Sequence, residues 1–198
     1  MLLILFILTV PFVSQEGAGA NLHKYDCGAA VAAMLIQYVT GTEVTVNSLV
    51  EGLEDTYQTS WSIEHMVNSY DIELQELWFH TPDVLRSHLE QGPVMFLVGY
   101  QVLQSYESKD AQHWILIVGY DNEDIIYHDP EVGPNQRIHE DLFFAALDRT
   151  ELLRTGFVIK EFTHEKATYS NNNPSDLYWA WSSSWIYACH AREPCILP

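Results

Sequence analysis

Cys27 is the only cysteine among the first 188 residues, and "KYDCGAA" (24–30) sets it directly after an aspartate and just before the apolar run "AAVAAMLIQYV". A thiol attacks a carbonyl only as thiolate, and a backbone position in the first turn of a helix favours that form because the positive end of the helix dipole faces it. Position alone does not make a nucleophile, since the commonest fate of a lone cysteine is to fill a core as a small hydrophobe. A cysteine nucleophile also needs a base, and the base needs a group that orients it. His113 opens the apolar run "HWILIVGY" (113–120), so it stands at the rim of a sheet rather than in its middle. Asp129 ends the next β-rich run, "DIIYHDP" (124–130), and the turn "DNED" makes the two runs a hairpin. Antiparallel return then carries the carboxylate alongside the imidazole, with Asp129 opposite about Leu116 and one diagonal step from His113. Asp121 and Asp124 lie in the turn itself and read as solvent-facing turn formers. His128 adjoins Asp129, but alternation aims it at the opposite face. Together with His23, His65, His80, His88, His139, His164 and His190 it reads as a surface or core residue.

The elements that must position these groups follow from the hydrophobic pattern. From Cys27 to about Tyr38 nearly every residue is small or apolar, Asp26 is a good N-cap, and Thr40-Gly41 supplies a stop. A helix apolar all round is a buried one. Acidic helical stretches follow at about Val46–Glu54, capped by Thr45, and at Ser62–Ser69, and a short strand at about Ile72–Phe79. In "TPDVLRSHLEQG" Thr81 is an N-cap, Pro82 starts the helix and Gly92 follows its end. "PVMFLVGY" (93–100), the hairpin already described and "GFVIK" (156–160) are β-rich. Helices first and strands later predict an α+β fold with an antiparallel sheet.

The first fifteen residues, "MLLILFILTVPFVSQ", are apolar through Val13 apart from Thr9, too short for a helical bilayer span. They read either as a secretory signal ending in "AGA" at Ala20, although without a basic start, or as a first strand running into the domain. Beyond about Glu165 the texture changes to an aromatic tail after the linker-like "NNNPS". The expected organisation is an apolar segment at 1–9, one domain at 10–165 and a tail at 166–198. Three cysteines are an odd number, so Cys189 and Cys195 either pair in an oxidising compartment or stay reduced, and one thiol is left over. An extracytoplasmic or secreted location is favoured over a cytoplasmic one. Nine Lys and Arg against 27 Asp and Glu give a net charge of −18, which repels nucleic acid and anionic lipid, and which reads either as an ordinary solvated surface or as one that favours basic partners.

"VPFVSQ" (10–15), "DCGAAVAAMLIQYVTG" (26–41), "GPVMFLVGY" (92–100) and "HWILIVGYDNEDIIYHDP" (113–130) together resemble the papain-like cysteine peptidases related to the bacteriocin-processing, double-glycine leader peptidases. The resemblance covers about residues 10–160. It implies a papain-like architecture, with an N-terminal helical layer carrying the cysteine packed on a C-terminal antiparallel sheet carrying His113 and Asp129. It also implies an oxyanion donor ahead of the cysteine. Gln15 matches the motif, while a shorter gap in some relatives would select Asn21 instead. The implied reaction is hydrolysis of a peptide or protein substrate, a basic one suiting the charge, through a thioacyl-enzyme and with no cofactor or metal. Two alternatives share these residues: a transglutaminase-like or other Cys-dependent acyltransferase, and a peptide-binding module that does not cut.

Overall fold

A computed structural model describes residues 5–15, 26–51, 60–104 and 112–161. By its internal contacts the chain divides into Met1–Phe162 and Thr163–Pro198, and the second unit, with Cys189 and Cys195, lies outside the described residues, as does Asn21. In the first unit the elements run β1 (Leu5–Ile7), α1 (Cys27–Thr40), α2 (Val46–Val50), α3 (Ser60–Asn68), β2 (Glu73–Trp78), α4 (Pro82–Leu89), β3 (Val94–Gly99), α5 (Tyr100–Gln104), β4 (Gln112–Asp121), β5 (Asp124–Asp129), β6 (Gly133–His139), α6 (Glu140–Leu147) and β7 (Thr155–Glu161). Within the apolar start, residues 5–7 form a strand.

The strands form one antiparallel seven-stranded sheet in the order β2-β7-β3-β4-β5-β6, with β1 pairing β4 beyond the end of β3. The architecture is α+β and papain-like, with helices on both faces of the sheet. One core gathers α1, α2 and α3 against Met95, Leu97, Trp114, Leu116, Val118 and Ile126. The other gathers α4 and α6 against Phe96, Val98, Ile115, Ile117, Ile125 and Tyr127. Covered on both faces, β3 is buried at every residue, and its sequence is therefore apolar throughout rather than alternating. The helix α1 is buried from Gly28 to Ile36 and ends as its sequence predicts, with Gly41 left-handed at φ 68 and its N–H bonded to Gln37.

Two local expectations are corrected. Asp26 occupies the N-cap position of α1 but makes no side-chain cap bond, because its φ/ψ of −85/20 lies outside the extended region from which a cap side chain reaches the next turn. Thr45 and Thr81, both extended, do cap their helices. The second helix stops at Val50, where Glu51 turns extended, short of the Glu54 predicted. The strand β6 and the helix α6 carry no expectation from sequence. The first is an exposed edge strand containing Pro134, without alternation, and the second follows it with His139 as cap. Among the described residues no helix is long and apolar enough to cross a membrane.

Gly119 admits β1 to the sheet. A Cβ there would lie 2.2 Å from the Phe6 carbonyl oxygen and 2.9 Å from the Ile7 Cα, both backbone atoms that cannot rotate away. Gly119→Ala is expected to destabilise the domain by about 1–3 kcal/mol, the usual cost of overpacking, read as a lowered urea midpoint at unchanged m. An unchanged midpoint would mean that β1 is dispensable to the fold.

Candidate active site

His113 is the second residue of β4 and Asp129 the last of β5, so in this antiparallel pair both stand at the same end of the sheet. His113 Nε2 lies 2.8 Å from Asp129 Oδ1, with the imidazole 7% and the carboxylate 0% exposed. A carboxylate oxygen can only accept, so Nε2 donates. Cys27, the first residue of α1 and half-buried, lies near enough to the same imidazole to act on its pKa. With Nε2 committed to Asp129, Nδ1 is the nitrogen that serves the sulfur. Tyr100, opening α5, packs its ring 4.5 Å from that of His113, centroid to centroid, and limits its rotation.

Burial on its own would lower the His113 pKa. The hydrogen bond to Asp129 and the nearness of Cys27, with the negative charge that both partners offer, outweigh it and push the value up from 6.5 to about 9. The imidazole therefore keeps its second proton at neutral pH. Because the folded value is raised above the unfolded one, the proton contributes stability in full below about pH 6.5, and that contribution is lost as pH rises towards 9. Unfolding free energy from urea titrations should fall across this window, and His113→Gln should abolish that fall. A fall of equal size in the variant would assign it to other groups.

Asp129 is fixed by its own turn. Its Oδ1 also accepts the backbone N–H groups of Glu131 at 2.9 Å and Val132 at 3.2 Å. The register that brings Asp129 to His113 differs from the one expected. At the hairpin tip Asp121 pairs with Asp124 and Gly119 with Ile126, but Ile117 then pairs with Tyr127 and Leu116 with His128, not Asp129. Val118 is an extra residue in β4, a bulge. Its effect is on direction. Alternation along β5 puts Asp129 on the face of Ile125 and Tyr127, and alternation along β4 puts His113 on the face of Ile115 and Ile117, which is the same face. Had the tip register continued, Leu116 would oppose Asp129 and His113 would point to the other face.

Gln15 closes the arm 8–15, which runs from β1 along the end of β5. Leu8 N donates to Val118 O at 2.8 Å, while Gln15 N and Ser14 Oγ both donate to Pro130 O, at 3.0 and 3.3 Å. The amide of Gln15 is thus anchored one residue from Asp129. Among the described residues two buried side-chain polar atoms have no hydrogen-bond partner, Gln15 Oε1 and Asp129 Oδ2, and both belong to this cluster. Unpaired buried polar atoms are rare enough in native interiors to call for a functional account. Asp121 and Asp124, in contrast, face Arg137 at the surface, at 2.6 and 4.0 Å. His128, read from sequence as a surface or core residue, is buried on the opposite face from Asp129 and bonds to the arm that carries Gln15.

Three solved structures share this fold. A structure described as a C39-like peptidase from Bacillus anthracis superposes with a TM-score of 0.60 at 16% identity, over 81% of this chain and 100% of that one. A double-glycine-motif protease from an AMS/PCAT transporter, solved with the leader peptide, gives 0.55 at 18% over 80% and 99%. The peptidase domain of Streptococcus ComA, a bifunctional ABC transporter of quorum sensing, gives 0.54 at 19% over 75% and 96%. No curated protein sequence is similar enough to match. The model of the Peptidase_C39-like family, however, matches residues 7–146, more than half of the chain and all of the segment from Gln15 through Cys27 and His113 to Asp129, and the chain accordingly belongs to that peptidase family.

Proposed function

We propose that this protein is a cysteine peptidase that hydrolyses a peptide bond through Cys27, His113, Asp129 and Gln15. The observation that carries the reading is the buried imidazole held 2.8 Å from the Asp129 carboxylate, with Cys27 near enough to help raise its pKa. The Cys27 thiolate attacks the substrate carbonyl, and the oxyanion that forms is held by the Gln15 side-chain amide and the backbone N–H of Cys27, at the start of α1. His113 Nδ1–H gives its proton to the departing amine as the C–N bond breaks, leaving a thioester. His113 then takes a proton from water, hydroxide adds to the thioester, and the acid leaves as Cys27 is restored. Asp129 keeps the imidazole in the orientation that serves Cys27 throughout.

The substrate is a peptide or protein segment. The structural relative solved with a leader peptide supports a peptide substrate, and the net charge of −18 favours a basic one through steering. The test is product mass after incubation with a synthetic peptide pool, with and without an added primary amine. Products heavier by water are expected. Dominant capture by the amine would make the enzyme an acyltransferase, and cleavage that survives Cys27→Ala would overturn the reading. Cys27 is also expected to be the thiol alkylated fastest by iodoacetamide at pH 7, located by mass spectrometry of the labelled peptide. Preferential labelling of Cys189 or Cys195 would refute this.

A further inference from the structure

One buried histidine is unused by the chemistry above, although it is adjacent in sequence to Asp129. His128 is 3% exposed, and its Nε2 lies 3.1 Å from the Val10 carbonyl oxygen while its Nδ1 lies 3.2 Å from the Asn135 backbone nitrogen. A carbonyl can only accept and a backbone N–H can only donate, so the geometry fixes one neutral tautomer, with the proton on Nε2. Burial, which holds its pKa below the usual histidine value, favours the same neutral form. The ring of Phe12 meets the imidazole edge-on at 5.8 Å. Val10 and Phe12 both belong to the arm that ends at Gln15. Between Leu8, tied to β4, and Ser14 and Gln15, tied to Pro130, the hydrogen bond to His128 is the polar anchor of the arm to β5.

We infer that His128 is a positioning residue for the oxyanion donor: through Val10 and Phe12 it sets the arm so that the Gln15 amide stands where the oxyanion forms. The inference rests on the reading of Gln15 given above. Strand alternation makes one dipeptide serve both halves of the site, with Asp129 orienting the base from one face and His128 the oxyanion donor from the other. Displacements of about 1 Å in a catalytic group cost on the order of 10²-fold in rate, so a loosened arm is felt at the chemical step.

Two small probes separate the halves in the full chain. Iodoacetamide alkylates the thiolate by displacement at carbon and forms no oxyanion, so its rate at Cys27 reports the Cys27–His113 pair. p-Nitrophenyl acetate acylates the same sulfur through a tetrahedral oxyanion, with p-nitrophenolate leaving, so its burst also reports the oxyanion donors. His128→Leu is expected to slow the acylation burst about 10–100-fold while alkylation stays within about twofold. His128→Gln, whose amide offers one donor and one acceptor, should recover most of the loss. In a Gln15→Ala background His128→Leu should cost less than about threefold more, because it acts through a side chain already removed. Should His128→Leu fail to fold, His128→Asn, with a stem too short to reach both Val10 and Asn135, takes its place in the same cycle. Equal slowing of both probes, or full additivity with Gln15→Ala, would overturn the inference and leave His128 a structural residue. If Gln15→Ala leaves the burst unchanged, the oxyanion assignment and the inference fall together. A burst that persists in Cys27→Ala would remove the proposed function itself.

Discussion

Asp129→Ala should lower peptide turnover by on the order of 10³–10⁴, the loss seen when the orienting carboxylate of such a triad is removed. The side chain is fully buried, and its Oδ1 takes three donors at once, one from His113 and two from the turn that follows. Truncation therefore releases the imidazole and leaves two backbone N–H groups without their acceptor, so stability should also fall by about 1–3 kcal/mol. Asp129→Asn separates the two effects. The amide oxygen can still accept from the imidazolium and from the turn, but it brings no charge. That variant should retain much of the rate while its alkaline limit moves below the value of about 9 set by the native pair. Asp121→Ala and Asp124→Ala remove partners of Arg137 at the hairpin tip, Asp121 also an acceptor for the Asn122 amide, contacts worth about 0–1 kcal/mol each, and should leave turnover unchanged. An Asp129→Ala enzyme with the native rate and pH profile would leave Cys27 and His113 as a dyad.

Gln15→Ala should reduce kcat by on the order of 10²–10³ with little change in KM, since the donor acts on charge that appears only after attack. The backbone N–H of Gln15 keeps its bond to Pro130 in the variant, so the arm stays tied at its end. Iodoacetamide labelling of Cys27 should be preserved. If Asn21→Ala does the damage instead, the donor is misassigned and the arm serves the fold alone.

Much of this was legible in the chain because burial was. An uninterrupted apolar run with a glycine stop can only be an interior helix, which places Cys27 at its start. Two β-rich runs around a two-residue turn can only return on each other, which brings Asp129 towards His113. The bulge at Val118 left no trace in the pattern. Both faces of β4 are buried, so its residues are apolar in either direction and alternation carries no mark of where the phase changes. Gln15 is visible only through its motif, since the arm has no period of its own, and His128 is hidden for the opposite reason. Alternation states correctly which way it points, but not that the arm carrying Gln15 lies on that side.

The insensitivity of β4 to direction reaches further than prediction. Between His113 and the bulge at Val118, the His113–Asp129 pair needs the number of residues to keep its odd or even character relative to β5, while the apolar packing does not. A one-residue deletion between His113 and Ile117, with the bulge at Val118 kept, would exchange large hydrophobic side chains between two cores that both accept them, and would turn the imidazole away from its carboxylate. The protein could then remain folded and be chemically silent. Changes in pairs, or changes at the exposed tip beyond Gly119, leave the count intact. Length variation in this hairpin is thus constrained by arithmetic at the active site rather than by the stability of the sheet that carries it.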